Sequence, residues 1–63
     1  MELVDRFLSL RRSLDWSQAR LARELGVSQP TVWRIEHGKQ EASKPVLKLL
    51  EQIEKSALEM THA

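Results

Sequence analysis

Apolar residues recur near the start of the chain at the alternating four- and three-residue spacing of an amphipathic helix. They stand at Leu3, Phe7, Leu10 and Leu14, with mostly polar residues between them. Residues three and four positions apart share one face of a helix. The stripe therefore predicts a helix from residue 2 to about residue 13 that contributes to the core.

A second pattern, between Ser17 and Gly38, predicts two short helices joined by a tight corner. Ser17 and Ser28 suit N-cap positions, and Gly26 stands where a left-handed residue commonly ends a helix. Each serine lies between two apolar residues at the spacing of a hydrophobic staple, Trp16 with Leu21 and Val27 with Val32. Two helices joined in this way form a helix-turn-helix, which can place its second helix in a groove of DNA.

The longest apolar stripe predicts a last helix over about residues 44 to 59. Ser43 suits its N-cap and Pro45 its first turn. The first half of this helix suffices for the core of so small a domain. We therefore expect the second half to form a heptad-like seam between two subunits, at Leu50, Ile53, Ala57 and Met60. The alternative is a tail that folds back or frays.

The second helix of the helix-turn-helix has one apolar side and one side that faces solvent. At about 100° per residue, Val32 and Ile35 point into the core. The opposite side holds Pro30, Trp33, Arg34 and His37, with Gln29 on its flank. This second side is the surface that a DNA groove would meet.

Three of the polar or aromatic side chains have more than one interpretation. Arg34 can bond bidentately to O6 and N7 of guanine, which we favour, or can bond a phosphate. Trp33 can pack on a sugar or a thymine methyl, cover the helix rim as partial core, or contact a protein. Gln18, in the first turn of its helix, can reach a phosphate beside the free backbone N–H groups or stay solvated.

The composition narrows the classes of function. With 63 residues and no cysteine, the chain is expected to form one small domain, with a partner subunit as the source of added stability. No apolar run exceeds two residues, which argues against a membrane span or a signal peptide. The chain has no tyrosine, its two histidines lie far apart and its glycines end helices, so we expect no catalytic residue, cofactor or metal.

The charge is nearly balanced. The net charge of +1 divides into +2 over residues 1–39 and −1 over residues 40–63. A sequence-specific DNA-binding protein needs its positive groups on one face rather than in bulk. The total charge therefore argues neither for nor against nucleic acid as the partner.

The residues from Phe7 to Lys39 follow the pattern F-x-x-L-R-x-x-L-x-W-S-Q-x-x-L-A-x-x-L-G-V-S-x-x-x-V-x-x-I-E-x-G-K. This pattern resembles the lambda-repressor-like helix-turn-helix family, of the Cro or XRE type, and the resemblance covers roughly residues 3 to 53. It implies an all-α fold for residues 1–63: a compact four-helix domain with an extended last helix. It also implies that the third helix enters the major groove of double-stranded DNA, usually as a homodimer on a two-fold-symmetric operator.

The resemblance also implies roles for individual residues. Base edges would be read by Gln29, Pro30, Trp33 and Arg34. Phosphates would be met by Ser17, Gln18, His37, Lys39 and Lys44. Members of the family often pair an arginine late in the first helix with the glutamate of I-E-x-G, which here implies an ion pair between Arg11 and Glu36. The chain departs from the family pattern at Pro30, which cannot donate a hydrogen bond to a base, and at the bulky Trp33.

The sequence therefore predicts a small DNA-binding regulator, expected to be a repressor that occupies an operator. Its expected location is the cytoplasm, in a bacterial or phage-type setting. The alternative is a protein-interaction module, of the antitoxin or anti-regulator kind, that uses the same fold to hold a protein partner through Trp33 or the last helix.

Overall fold

The chain folds into four helices, seen in a computed structural model that describes residues 2–60 and the side chains of residues 2–59. They are α1 (Glu2–Leu14), α2 (Gln18–Leu25), α3 (Gln29–Glu36) and α4 (Lys44–Met60). The predicted all-α fold class is confirmed. None of these helices is both long enough and apolar enough to cross a membrane.

The corner between α2 and α3 is set by local hydrogen bonds. The Ser17 side chain accepts from the backbone N–H of Arg20 at 3.0 Å, and Ser28 caps α3 in the same way. Gly26 has a φ of 72° and ends α2 in the left-handed conformation. A Cβ added to Gly26 would meet nothing within 4 Å. Backbone conformation, rather than lack of space, therefore explains glycine at this position.

The core lies where all four helices meet. Five side chains are fully buried there: Phe7 from α1, Leu21 from α2, Val32 and Ile35 from α3, and Leu50 from α4. The small side chain of Ala22, also buried, suits the close contact between α2 and α3. Because α3 buries its apolar side in this core, its other side is turned to solvent.

The structure places three residues of the expected α4 seam in or against the core of their own domain. Leu50 is 0% exposed and Ala57 is 7% exposed, and Ile53 packs against the same core. The apolar stripe of α4 thus packs on α1 and α2 of its own domain, and its expected part in a seam between subunits stays a prediction. The side chain of Met60 lies outside the described residues. The exposed large apolar residues of α4 are Leu49 and Leu58.

The second half of α4 is held against α1 by an ion pair. The Nε and Nη2 atoms of Arg6 donate to the two carboxylate oxygens of Glu54 at 3.0 and 2.6 Å. The hydrogen bond to the Glu54 carboxylate raises the pKa of Arg6 above its usual value, so the arginine stays charged wherever the domain is folded. Since α4 remains helical to Met60, this half of the helix extends the domain along α1.

Candidate nucleic-acid interface

The exposed side of α3 brings together the four residues expected to read bases. A shallow groove of about 330 Å³ is lined by Gln29, Pro30, Trp33 and Arg34, together with Gln18 from α2. Pro30 lies in the first turn of α3, where its missing N–H leaves no intrahelical hydrogen bond unmade. The groove therefore offers an amide, an apolar ring, an indole and a guanidinium on one surface.

Trp33 lies outside the core. Its side chain is 42% exposed, and its ring stacks on that of His37 with centroids 3.9 Å apart and planes 21° from parallel. The Nδ1 atom of His37 lies 2.7 Å from the backbone carbonyl oxygen of Trp33. Trp33 therefore does not belong to the core or to the apolar residues packed against it, and its contact with DNA or with a protein stays a prediction.

Arg34 projects from α3 with its guanidinium near the following loop. Its Nη1 atom donates to the side-chain oxygen of Gln40 at 3.3 Å, and both residues are exposed. Sequence reasoning did not single out Gln40, because it stands in a loop without periodicity and belongs to no motif. Only the path of the loop reveals that Gln40 lies beside Arg34.

A buried carboxylate supports α3 from behind. Glu36 has a side-chain exposure of 2% and receives a bidentate pair of hydrogen bonds from Arg11, with distances of 2.7 and 3.0 Å. Gln18 donates a further hydrogen bond from its amide nitrogen to Glu36 at 2.9 Å. Arg11 also donates to the carbonyl oxygen of Trp16 at 3.3 Å. These bonds join α1, the start of α2 and the end of α3.

In this cluster Gln18 has a different hydrogen-bond partner from the one expected. The residue was expected at a phosphate, and its side-chain amide here points to Glu36. Gln18 nevertheless also lines the groove on the exposed side of α3. It thereby connects the buried ion pair to the groove-lining residues.

The other residues expected at phosphates stand at or near the ends of helices. Ser17 uses its hydroxyl to cap α2. Lys39 follows the left-handed Gly38 after α3, and Lys44 begins α4. Both lysines are exposed, and within residues 2–59 neither forms an ion pair with a carboxylate. Both ammonium groups are thus open to solvent.

The described part of the chain holds no group of three or more side chains suited to a metal ion.

A family model described as helix-turn-helix matches residues 8–53, well over half of the chain. The match includes α2, α3 and the loop that follows, and it ends within α4. No curated protein and no solved structure matches the chain.

Proposed function

Since the chain belongs to the lambda-repressor-like, XRE-type helix-turn-helix family, which is DNA-binding and regulatory and not enzymatic, we propose that it is a sequence-specific repressor. The observation that carries this proposal is the exposed surface of α3. There Gln29 and Arg34 stand in one groove, on a helix whose opposite side is locked into the core. Such a helix can enter the major groove without losing its packing.

The side chains in the groove match the donor and acceptor pattern of base edges. Arg34 can donate two hydrogen bonds to O6 and N7 of guanine, and Gln29 can bond N6 and N7 of adenine. Lys39, just after α3, and Lys44, at the start of α4, would supply phosphate contacts. Affinity then comes largely from the phosphates and falls steeply with salt, whereas sequence preference comes from α3.

We propose that the chain acts as a dimer on a two-fold-symmetric operator. At a rise of about 1.5 Å per residue, the eight-residue α3 is about 12 Å long and can reach only a few base pairs. Two copies reading half-sites about 34 Å apart double the number of base pairs read. The proposed dimer would act where the DNA is, in the cytoplasm.

A mobility-shift titration tests DNA binding directly. The labelled probe is the DNA upstream of the chain's own coding sequence, and the control is a scrambled duplex of equal length and composition. We expect both probes to shift at low salt and only the upstream probe to remain shifted near physiological salt. The absence of any shift at low salt would overturn the proposal.

The alternative, a protein-interaction module, is favoured by one observation outside α3. A groove of about 700 Å³ lies between α1 and the second half of α4, with Leu10, Ala57 and Leu58 among its lining residues. This half of α4 follows the end of the family match at residue 53. If the titration fails at low salt, this groove is the surface through which the fold would hold a protein.

A further inference from the structure

The stacked rings of Trp33 and His37 form a feature that phosphate binding by His37 does not explain. The ring centroids are 3.9 Å apart, close to van der Waals contact, and the planes are nearly parallel. One face of the indole is therefore covered by the imidazole. The rest of the indole lines the groove beside Pro30 and Arg34.

The imidazole is fixed to the backbone of α3. Because a carbonyl oxygen only accepts hydrogen bonds, the Nδ1 atom of His37, 2.7 Å from the carbonyl oxygen of Trp33, carries the proton and donates it. The backbone N–H of His37 donates to the same oxygen at 3.0 Å. Turning the ring out of this position would break both the stacking and the side-chain hydrogen bond.

The groove wall formed by Trp33 and Pro30 lacks acceptors. An indole carries only an N–H donor, and the pyrrolidine ring carries no polar atom. The amino groups that cytosine and adenine present in the major groove would find no acceptor on this wall. The 5-methyl of thymine is the apolar group at the base edges of that groove, and it fits such a wall.

Building on the proposed function, we propose that Trp33 and His37 act as one reading unit for a thymine methyl. In this unit Trp33 and Pro30 contact the methyl group, and His37 is a positioning residue that holds the indole by stacking. His37 then sets sequence preference through Trp33, in place of the phosphate contact that the family resemblance implies. Arg34 lines the same groove and reads a neighbouring guanine.

The test starts from the duplex that the wild-type chain enriches from a random-sequence pool at low salt. Each thymine of that duplex is replaced in turn by deoxyuridine, which removes the methyl and keeps the base pair. We expect a thymine whose replacement weakens wild-type binding about fourfold, the effect of one buried methyl-sized group. The same replacement should leave the affinity of Trp33→Ala unchanged.

Two substitutions at His37 separate positioning from phosphate binding. His37→Ala should lose the fourfold discrimination between thymine and deoxyuridine. His37→Phe keeps a ring for stacking but has no nitrogen for a phosphate, so it should restore the discrimination. We expect all three variants to fold, since both substituted side chains are exposed. Thermal unfolding followed by circular dichroism checks this.

The outcomes distinguish this inference from the function on which it rests. If the wild-type chain binds no duplex even at low salt, the proposed function fails. If it binds but shows no methyl-sensitive thymine, or if Trp33→Ala keeps the same sensitivity, the reading unit is overturned while the proposed function stands. If His37→Ala weakens binding to the thymine and deoxyuridine duplexes equally and keeps the discrimination, His37 contacts a phosphate and its positioning role is wrong.

Discussion

Glu36 places a buried carboxylate directly behind the surface of α3 that we propose faces DNA. Its side chain is 2% exposed and accepts three hydrogen bonds, two from Arg11 and one from Gln18. Burying a charge is costly, and here the cost is offset by charge-assisted bonds with short distances. The cluster fixes the end of α3 relative to the start of α2, which are the two segments expected to meet one stretch of DNA.

Removing Arg11 should destabilise the domain strongly. Arg11→Met leaves Glu36 buried with only the bond from Gln18, and we expect a loss of about 3–5 kcal/mol in the free energy of unfolding. Urea denaturation at neutral pH measures it. The matched control is Glu24→Gln, which breaks the exposed pair between Arg20 and Glu24 and should cost no more than about 0.5 kcal/mol. Equal losses of unfolding free energy in Arg11→Met and Glu24→Gln would mean that the buried pair contributes no more to stability than the exposed pair.

Arg34 and Lys39 should differ in how they affect binding. Arg34→Ala should cost about 1–3 kcal/mol on the preferred duplex and relax the preference at one base pair. Lys39→Ala should weaken preferred and random duplexes equally and lower the salt slope by about 1. Footprinting and filter binding at several salt concentrations measure these effects. An Arg34→Ala variant with unchanged preference would show that Arg34 is not a base reader.

At the scale of the element, α4 shows how one spacing fits two interpretations. A repeat of apolar residues four and three apart describes both a seam between subunits and a face packed on the helix's own domain. The structure places this face, including Leu50, against α1 and α2. The helices themselves follow the sequence closely, and the predicted ends of α1 and α4 lie within one residue of the observed ones.

Leu50 therefore supports folding rather than association. Leu50→Ala should create a cavity in the core and reduce the free energy of unfolding by about 2–5 kcal/mol. The loss should not depend on protein concentration, because the contacts lie within one subunit. Leu49→Ala, at a position 38% exposed, is the control and should cost much less. Thermal unfolding over a wide concentration range checks both, and a loss that grew on dilution would place Leu50 at an interface.

At the scale of the whole molecule, the net positive charge is small. The net charge is only +1, and Arg34 on the exposed side of α3, Lys39 just after α3 and Lys44 at the start of α4 form no ion pair with a carboxylate among the described residues. Between α1 and α4, Arg6 is neutralised by Glu54. Free positive charge on one surface is what phosphate contacts require.

We expect the chain to be a dimer at micromolar concentration. A domain of 63 residues buries little apolar surface by itself, and two recognition helices are needed for an operator of useful length. Sedimentation equilibrium should give twice the mass of one chain. Light scattering that shows a monomer at micromolar concentration and above would contradict the dimer, without contradicting DNA binding by a single subunit.

The sequence by itself determined the helices, the serine caps of α2 and α3, and the identity of the helix-turn-helix. These features depend on contacts within a few residues, such as the Ser17 cap and the left-handed Gly26, so local spacing reveals them. Only the tertiary structure decided that Leu50 lies in the core, that Gln18 donates a hydrogen bond to Glu36 and that Arg34 donates one to Gln40. Each of these depends on how the helices and the loop pack in space, which local periodicity does not encode. The stacking of His37 on Trp33 depends on side-chain rotamers, which helical spacing permits but does not fix.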